Sequence, residues 1–233
     1  IAIFGGVVMR YKEEALLASY IDSLHPIIYI NHFDFTVIDD TLKKIGQGVN
    51  IVEYNNALGE INFNTKSQIH ECELERFLKL SLENGFESET FILLKDIHDQ
   101  MNNPKVIALL KRIAENNLYS EDYHATIIIE SNKLVIPSEL ENYITVFDVP
   151  LPTSREIKKI IETFASDLEI EIVQDVLDDI TLSFKGMNEF QIKQILNLAY
   201  QDGGCIDADD KQLIFKEKEQ LIKKSGMLEI VNF

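Results

Sequence analysis

Cysteine is scarce in this chain of 233 residues: Cys72 and Cys205 are the only two. Neither stands in a CxxC pair or near a histidine at ligand spacing, so a zinc site or a disulfide framework is not expected, and free thiols in a reducing compartment are. Long apolar runs are missing as well. No stretch approaches the ~18 residues of a membrane span, and a membrane is not an expected partner. Basic residues are few: 22 Lys and Arg against 39 Asp and Glu leave a net charge of −17. Such a field repels phosphate backbones and acidic lipid surfaces alike, so nucleic acid is not an expected partner either. There is no internal repeat and no low-complexity segment. The opening IAIFGGVV lacks the basic start of a secretory signal, and a cytoplasmic location is the expectation. Met9, followed by RYKEEALLASYI, reads as a natural start, with residues 1–8 expected to be vector-derived or upstream sequence.

What the chain does contain is an alternation of short apolar runs and helical patterns. At its centre lies TFILLKDIHD, Thr90 to Asp99. Phe91, Ile92, Leu93 and Leu94 run without alternation, as in a strand buried on both faces of a parallel sheet. The switch to charge at Lys95 and Asp96 marks the carboxyl end of that strand, where open α/β sheets place their ligand sites. Four similar runs stand at Ile27–Ile30, Val49–Tyr54, Ala125–Glu130 and Tyr143–Val149. Helical patterns separate them, including one from Phe35 to Ile45, one from Ser67 to Glu83 and one that Asn103 caps before Pro104. Asn55 to Lys66 is polar and reads as a loop. Five strands alternating with helices predict βαβ units and a five-stranded parallel sheet. Pro150-Leu151-Pro152 is the best boundary, because two prolines around one leucine cannot continue a strand. Beyond it only helices are expected, at about Ser154–Ala165, Ile170–Leu182, Asn188–Gln201 and Asp207–Lys224.

This plan resembles an AAA+ module, a P-loop NTPase-like sheet followed by a small all-α lid. FILLKDIHD is similar to the Walker B strand, and ATIIIESNK, Ala125 to Lys133, to the sensor-1 strand with Asn132 in the sensor position. ITVFDVPLPTSREIKKII resembles the junction into the lid, and SFKGMNEFQIKQILNLA a lid segment. More narrowly, LHPIIYI, LLKDIH, VPLPTSREI and LIKKSGMLEIV resemble the degenerate first module of a tandem AAA ATPase group of bacteria and algal plastids, one of whose members is an unassigned plastid reading frame. The resemblance implies a strand order of second, third, fourth, first, fifth. It also implies an α/β domain over residues 9–149, a helical lid over 153–225, and a linker at 226–233 toward a missing ATPase module.

The departures from the pattern decide the functional expectation. A P-loop, GxxxxGK[ST], cradles phosphates on backbone N–H groups and neutralises them with its Lys. At that place the chain has Asn31-His32-Phe33-Asp34-Phe35, with no Gly, no Lys, and an Asp that repels phosphate. The stretch Gly59 to Ser67 only echoes the motif. Lys95 occupies the place of the magnesium-binding acid, and Glu141 to Ile144 supply no arginine finger. His32, Asp34, Lys95, Asp96 and Asn132 are therefore read as degenerate nucleotide-site positions, with no catalytic residue and no metal ligand among them.

The expected role is a non-hydrolysing AAA+ module that assembles with or regulates an ATPase module C-terminal to it. Its partners are that module and further copies of itself; ATP and magnesium belong to the full-length family and not to this chain. The alternative is a nucleotide-binding domain or a metal-dependent hydrolase at the strand-end cluster His32, Asp34, Asp96 and His98. A clamp-loader-like subunit with an inert AAA+ fold is a third reading. Lys95 is expected to reach a neighbouring carboxylate such as Asp34, so that Lys95→Asp lowers stability by about 1 kcal/mol for an exposed or partly buried site and confers no ATPase activity.

Overall fold

The computed structural model describes residues 11–208 and 210–225. The first eight residues and the linker expected at 226–233 lie outside the described residues. The chain divides into two compact units that meet at Val149 and Pro150.

The first unit is built on a seven-stranded mixed sheet. Its strands are β1 (Ile27–Asn31), β2 (Asn50–Asn55), β3 (Gly59–Asn62), β4 (Gln68–His70), β5 (Thr90–Lys95), β6 (Ala125–Ser131) and β7 (Ile144–Asp148), in the order β4-β3-β2-β5-β6-β1-β7. The five apolar runs are the parallel strands β2-β5-β6-β1-β7, in the expected order. The sheet is not five-stranded and parallel, however. β3 and β4 extend it past β2 as an antiparallel hairpin.

The hairpin occupies the stretch read as a loop, and β4 takes residues assigned to the following helix. Asn55 Oδ1 accepts from Ala57 N at 2.8 Å and tightens the turn out of β2. Gly59, at φ +78°, then lets the chain fold back. A four-residue strand holding one buried Ile61 carries too little apolar pattern to be read from spacing alone.

Helices cover both faces. α3 (Leu74–Asn84) and α4 (Pro104–Tyr119) pack on one face through Phe77, Leu78, Leu110 and Ile113, against Tyr29, Ile92, Leu94, Ile127 and Ile129. Side chains alternate along a strand, so Phe91, Leu93 and Lys95 point to the opposite face. There α2 (Phe35–Ile45) lies close, and a Cβ on Gly46, just past its end, would stand 2.8 Å from the Phe91 ring. α1 (Tyr11–Asp22) packs beside α2 and buries Leu17 and Ile21. Asn103 Oδ1 accepts from Lys105 N at 3.0 Å, so α4 starts at the expected cap with Pro104 in its first turn.

The second unit is helical: α5 (Ser154–Asp167), α6 (Gln174–Ser183), α7 (Glu189–Gly203) and α8 (Asp210–Ser225). Ile157, Ile161, Leu177, Phe184, Ile192 and Ile214 share its core. α5 begins at Ser154, where its helical pattern was expected to start. Thr153 and Glu156 form a capping box, which places Ser154 inside the first turn. α7 is capped by Asn188, in a box with Gln191, and stops where Gly204 turns left-handed. Among the described residues no helix is long and apolar enough to cross a membrane.

Candidate functional site

The parallel strands β5, β6 and β1 are neighbours, so their carboxyl ends bring the five singled-out residues to one edge of the sheet. β1 ends at Asn31 and α2 begins at Phe35, leaving His32, Phe33 and Asp34 to connect them. This connection is closed on itself. Asp34 stands in extended conformation as the N-cap of α2, and its Oδ1 accepts from Thr36 N at 3.0 Å. His32 N donates to Ser131 O at 3.1 Å, and His32 Nδ1 accepts from Phe33 N at 2.9 Å. Burial pulls the His32 pKa below its ordinary value against the weaker opposing pull of Asp34, which favours a neutral imidazole. The helix N-terminus, where a phosphate would otherwise find free N–H groups and a favourable dipole, thus carries the chain's own carboxylate.

Lys95 pairs with other acids than the expected Asp34. It is buried, and its Nζ lies 2.7 and 2.8 Å from the two oxygens of Asp39, 3.1 Å from Glu53 Oε1 and 3.7 Å from Glu130 Oε2. Strand register explains the gathering. Lys95 sits opposite Asn55 on one side and Glu130 on the other, so Glu53, two residues before Asn55, faces the same way. Asp39 comes from the second turn of α2. Lys66, from the turn between β3 and β4, closes the outer side at 2.8 Å from Asp39 Oδ2 and 2.6 Å from Glu53 Oε2. Its ammonium also lies over the Phe63 ring, 4.1 Å from the centroid.

Three carboxylates and two ammonium groups cannot all be charged in balance, and Glu130 is the odd one. It is wholly buried, and neither of its oxygens has a hydrogen-bond partner. Burial raises its pKa well above the ordinary range, with Asp39 and Glu53 adding to the rise and Lys95 and Lys66 opposing it. A protonated Glu130 leaves Asp39 and Glu53 facing Lys95 and Lys66, a neutral set. For Lys95 burial works downward, but the acids around it, with Asp39 hydrogen-bonded to its ammonium and Glu53 beside it, outweigh that and hold the pKa above its usual value.

Asp96 and Asn132 stand apart from this cluster. Asp96 is half-buried in left-handed conformation, φ +55°, and its N–H donates to Glu130 O at 3.0 Å. Asn132 is exposed in a bend without the left-handed geometry its residue type tolerates; the side chain of Ser131 closes that bend by accepting from Lys133 N at 3.2 Å. His98 joins neither His32 nor Asp34. Its Nδ1 lies 3.0 Å from Ser131 Oγ and its Nε2 3.6 Å from Asp99 Oδ1. This has the residue types of a hydrolytic triad, but Ser131 is 0% exposed and its oxygen is already engaged. Among the described residues, no group of three or more His, Cys, Asp or Glu is placed to hold a metal ion. Asp39, Glu53 and Lys66 were invisible in the sequence as site residues; Glu130, a lone acid closing the apolar run ATIIIE, was the one available signal.

A family model described as "SpoVK-like AAA ATPase, N-terminal domain" matches residues 12–149, and one described as its second domain matches residues 155–225. The AAA domain-containing protein ycf46 of Guillardia theta is 26% identical over 218 residues, covering 89% of this chain and 41% of that protein. Its counterpart in Pyropia yezoensis is 32% identical over 143 residues, 61% of this chain and 28% of that protein. The chain therefore spans less than half the length of these relatives. Among solved structures, that of C. elegans PCH-2 superposes with a TM-score of 0.59 at 12% identity, over 94% of this chain and 71% of that one, a likeness of fold alone.

Proposed function

This chain belongs to the SpoVK-like AAA ATPase family, and from that premise we propose that it is a non-hydrolysing AAA+ module that assembles with or regulates an ATPase module C-terminal to it. Residues 9–149 are its AAA+-like α/β domain, 153–225 its helical lid and 226–233 the linker toward the active module. That module and further copies of the chain are its partners, in the cytoplasm. ATP and magnesium are used by the whole protein and not by this part of it.

One observation carries the reading. The connection from β1 to α2 is three residues long and ends in Asp34, whose carboxylate caps the helix that would otherwise receive a phosphate. A triphosphate brought there meets a fixed negative charge in place of a cradle of N–H groups and a lysine. Lys95 supports the same conclusion, because an ammonium tied to Asp39 and Glu53 fills the place of a magnesium-binding acid. The residues present do not fit a magnesium–triphosphate group. Calorimetric titration of magnesium-ATP into this chain is expected to give no binding in the micromolar range, and a phosphate-release assay no turnover. Micromolar, magnesium-dependent binding would overturn the reading.

A further inference from the structure

The hairpin that widens the sheet leaves part of one face uncovered. On the side where α3 packs, Val52, Glu60 and His70 form a floor, and Arg76, Phe77 and Leu80 of α3 form a wall, around a cleft of 450 Å³. That volume falls in the roughly 300–1,000 Å³ range of ligand clefts. Leu80, within that wall, is 41% exposed, and all three residues of β4 are exposed. β4 ends the sheet: β3 pairs with it on one side, and among the described residues no strand pairs with the other. An edge of this kind offers unpaired backbone groups to any extended chain laid beside it.

The charges around the cleft are also unspent. Arg76, Glu60 and Glu71 line it, and among the described residues none of them has an ion pair. Other acids of this unit are paired, Asp39 and Glu53 with Lys95 and Lys66, Glu14 with Lys44 and Glu75 with Lys105. Two free acids against one free base, within a chain of net charge −17, set a negative potential at the groove mouth. A second copy of the chain, equally acidic, is disfavoured there, and a basic segment is drawn in.

We infer that the cleft between β4 and α3 is a docking site for an extended, basic segment of another protein, which adds a strand to β4 and lays an apolar side chain against Phe77 and Leu80. Alternation along such a segment lays every second side chain against Phe77 and Leu80, with the exposed carboxylate of Glu71 in the same cleft to attract the basic ones between them. This site lies away from the β1–α2 connection and does not depend on whether that connection binds nucleotide.

Two fluorescent twelve-residue peptides test it by anisotropy with the intact chain, one alternating Lys with Val and one alternating Glu with Val. The Lys–Val peptide is expected to bind in the micromolar range and the Glu–Val peptide at least tenfold more weakly. N-methylation at alternate amides of the Lys–Val peptide should abolish binding without any change to the protein. Leu80→Asp should weaken binding at least tenfold, and the exposed charge reversal Glu71→Lys does so by a separate route. Binding that survives N-methylation would overturn the strand-addition mode. Binding unmoved by both variants would place the peptide elsewhere, and no binding of the Lys–Val peptide would refute the site. A concentration-dependent dimer abolished by Leu80→Asp would assign the groove to a second copy instead.

Discussion

Lys95 shows how one buried cation at a strand end gathers acids around it. A surface pair is worth about 0–1 kcal/mol, but this ammonium is buried and serves Asp39 and Glu53 at once. Removing one partner of a buried pair leaves an uncompensated charge, at a cost of roughly 3–5 kcal/mol. Lys95→Asp is expected to lose at least that much in urea denaturation, since it also adds an acid beside two others, and to confer no ATPase activity. A loss near 1 kcal/mol would mean that Lys66 and water can take over the work of Lys95.

Glu130 gives the complementary prediction, and its sign follows from linkage. The folded state holds the Glu130 proton more tightly than the unfolded chain, whose ordinary value is 4.5. Its contribution to stability is therefore complete below that value and is lost as pH rises from there through the raised folded pKa. Glu130→Gln keeps the shape and cannot lose a proton. The variant is expected to match the parent near pH 4.5 and to exceed it increasingly toward pH 8, by up to about 1.4 kcal/mol for each pH unit of the shift. Unfolding midpoints of the two proteins, compared at each pH, cancel the contributions of all other groups. A constant difference across that range would show that Glu130 is charged in the folded state.

At the scale of elements, what was legible depended on how much apolar pattern each one carries. β5 and β6 are buried at every position, and their runs of Phe, Ile and Leu announced both their type and their central place. The β3–β4 hairpin hides in a polar stretch because it is an edge, with one face half wet and few residues to alternate. For the site, Lys95 and Asp34 stood out by position, while the partners of Lys95 depend on the register of three strands and one helix turn, which no local motif encodes. Gly59 holds the hairpin in place: it needs a positive φ, and a Cβ there would stand 2.5 Å from His70 O and 2.7 Å from Cys72 N. Both neighbours are backbone and cannot rotate away. Gly59→Ala should cost upward of about 1–2 kcal/mol from backbone strain alone. It should also speed hydrogen exchange in β4 more than in β5, which a mass-spectrometric exchange experiment reads directly.

At the scale of the whole molecule, two cores raise the question of which one each stretch of sequence needs. The first unit closes its own: β7 pairs with β1 through Ile27↔Ile144 and the four residues that follow, and Phe147 is buried. All seven strands and the charge cluster of Lys95, Asp39, Glu53, Glu130 and Lys66 lie before Pro150. The helical unit has separate means of its own, with apolar residues from all four helices in one core and capping boxes starting α5 and α7. A unit with its own core and satisfied helix ends is able to fold alone. A chain ending at Val149 is accordingly expected to keep a single cooperative urea transition and the Lys95-dependent stability described above. The full chain should show that transition together with a second one from the helices. Denaturation followed by circular dichroism distinguishes the outcomes. Loss of the cooperative transition in the shorter chain would mean that the α/β unit draws stability from residues after Pro150.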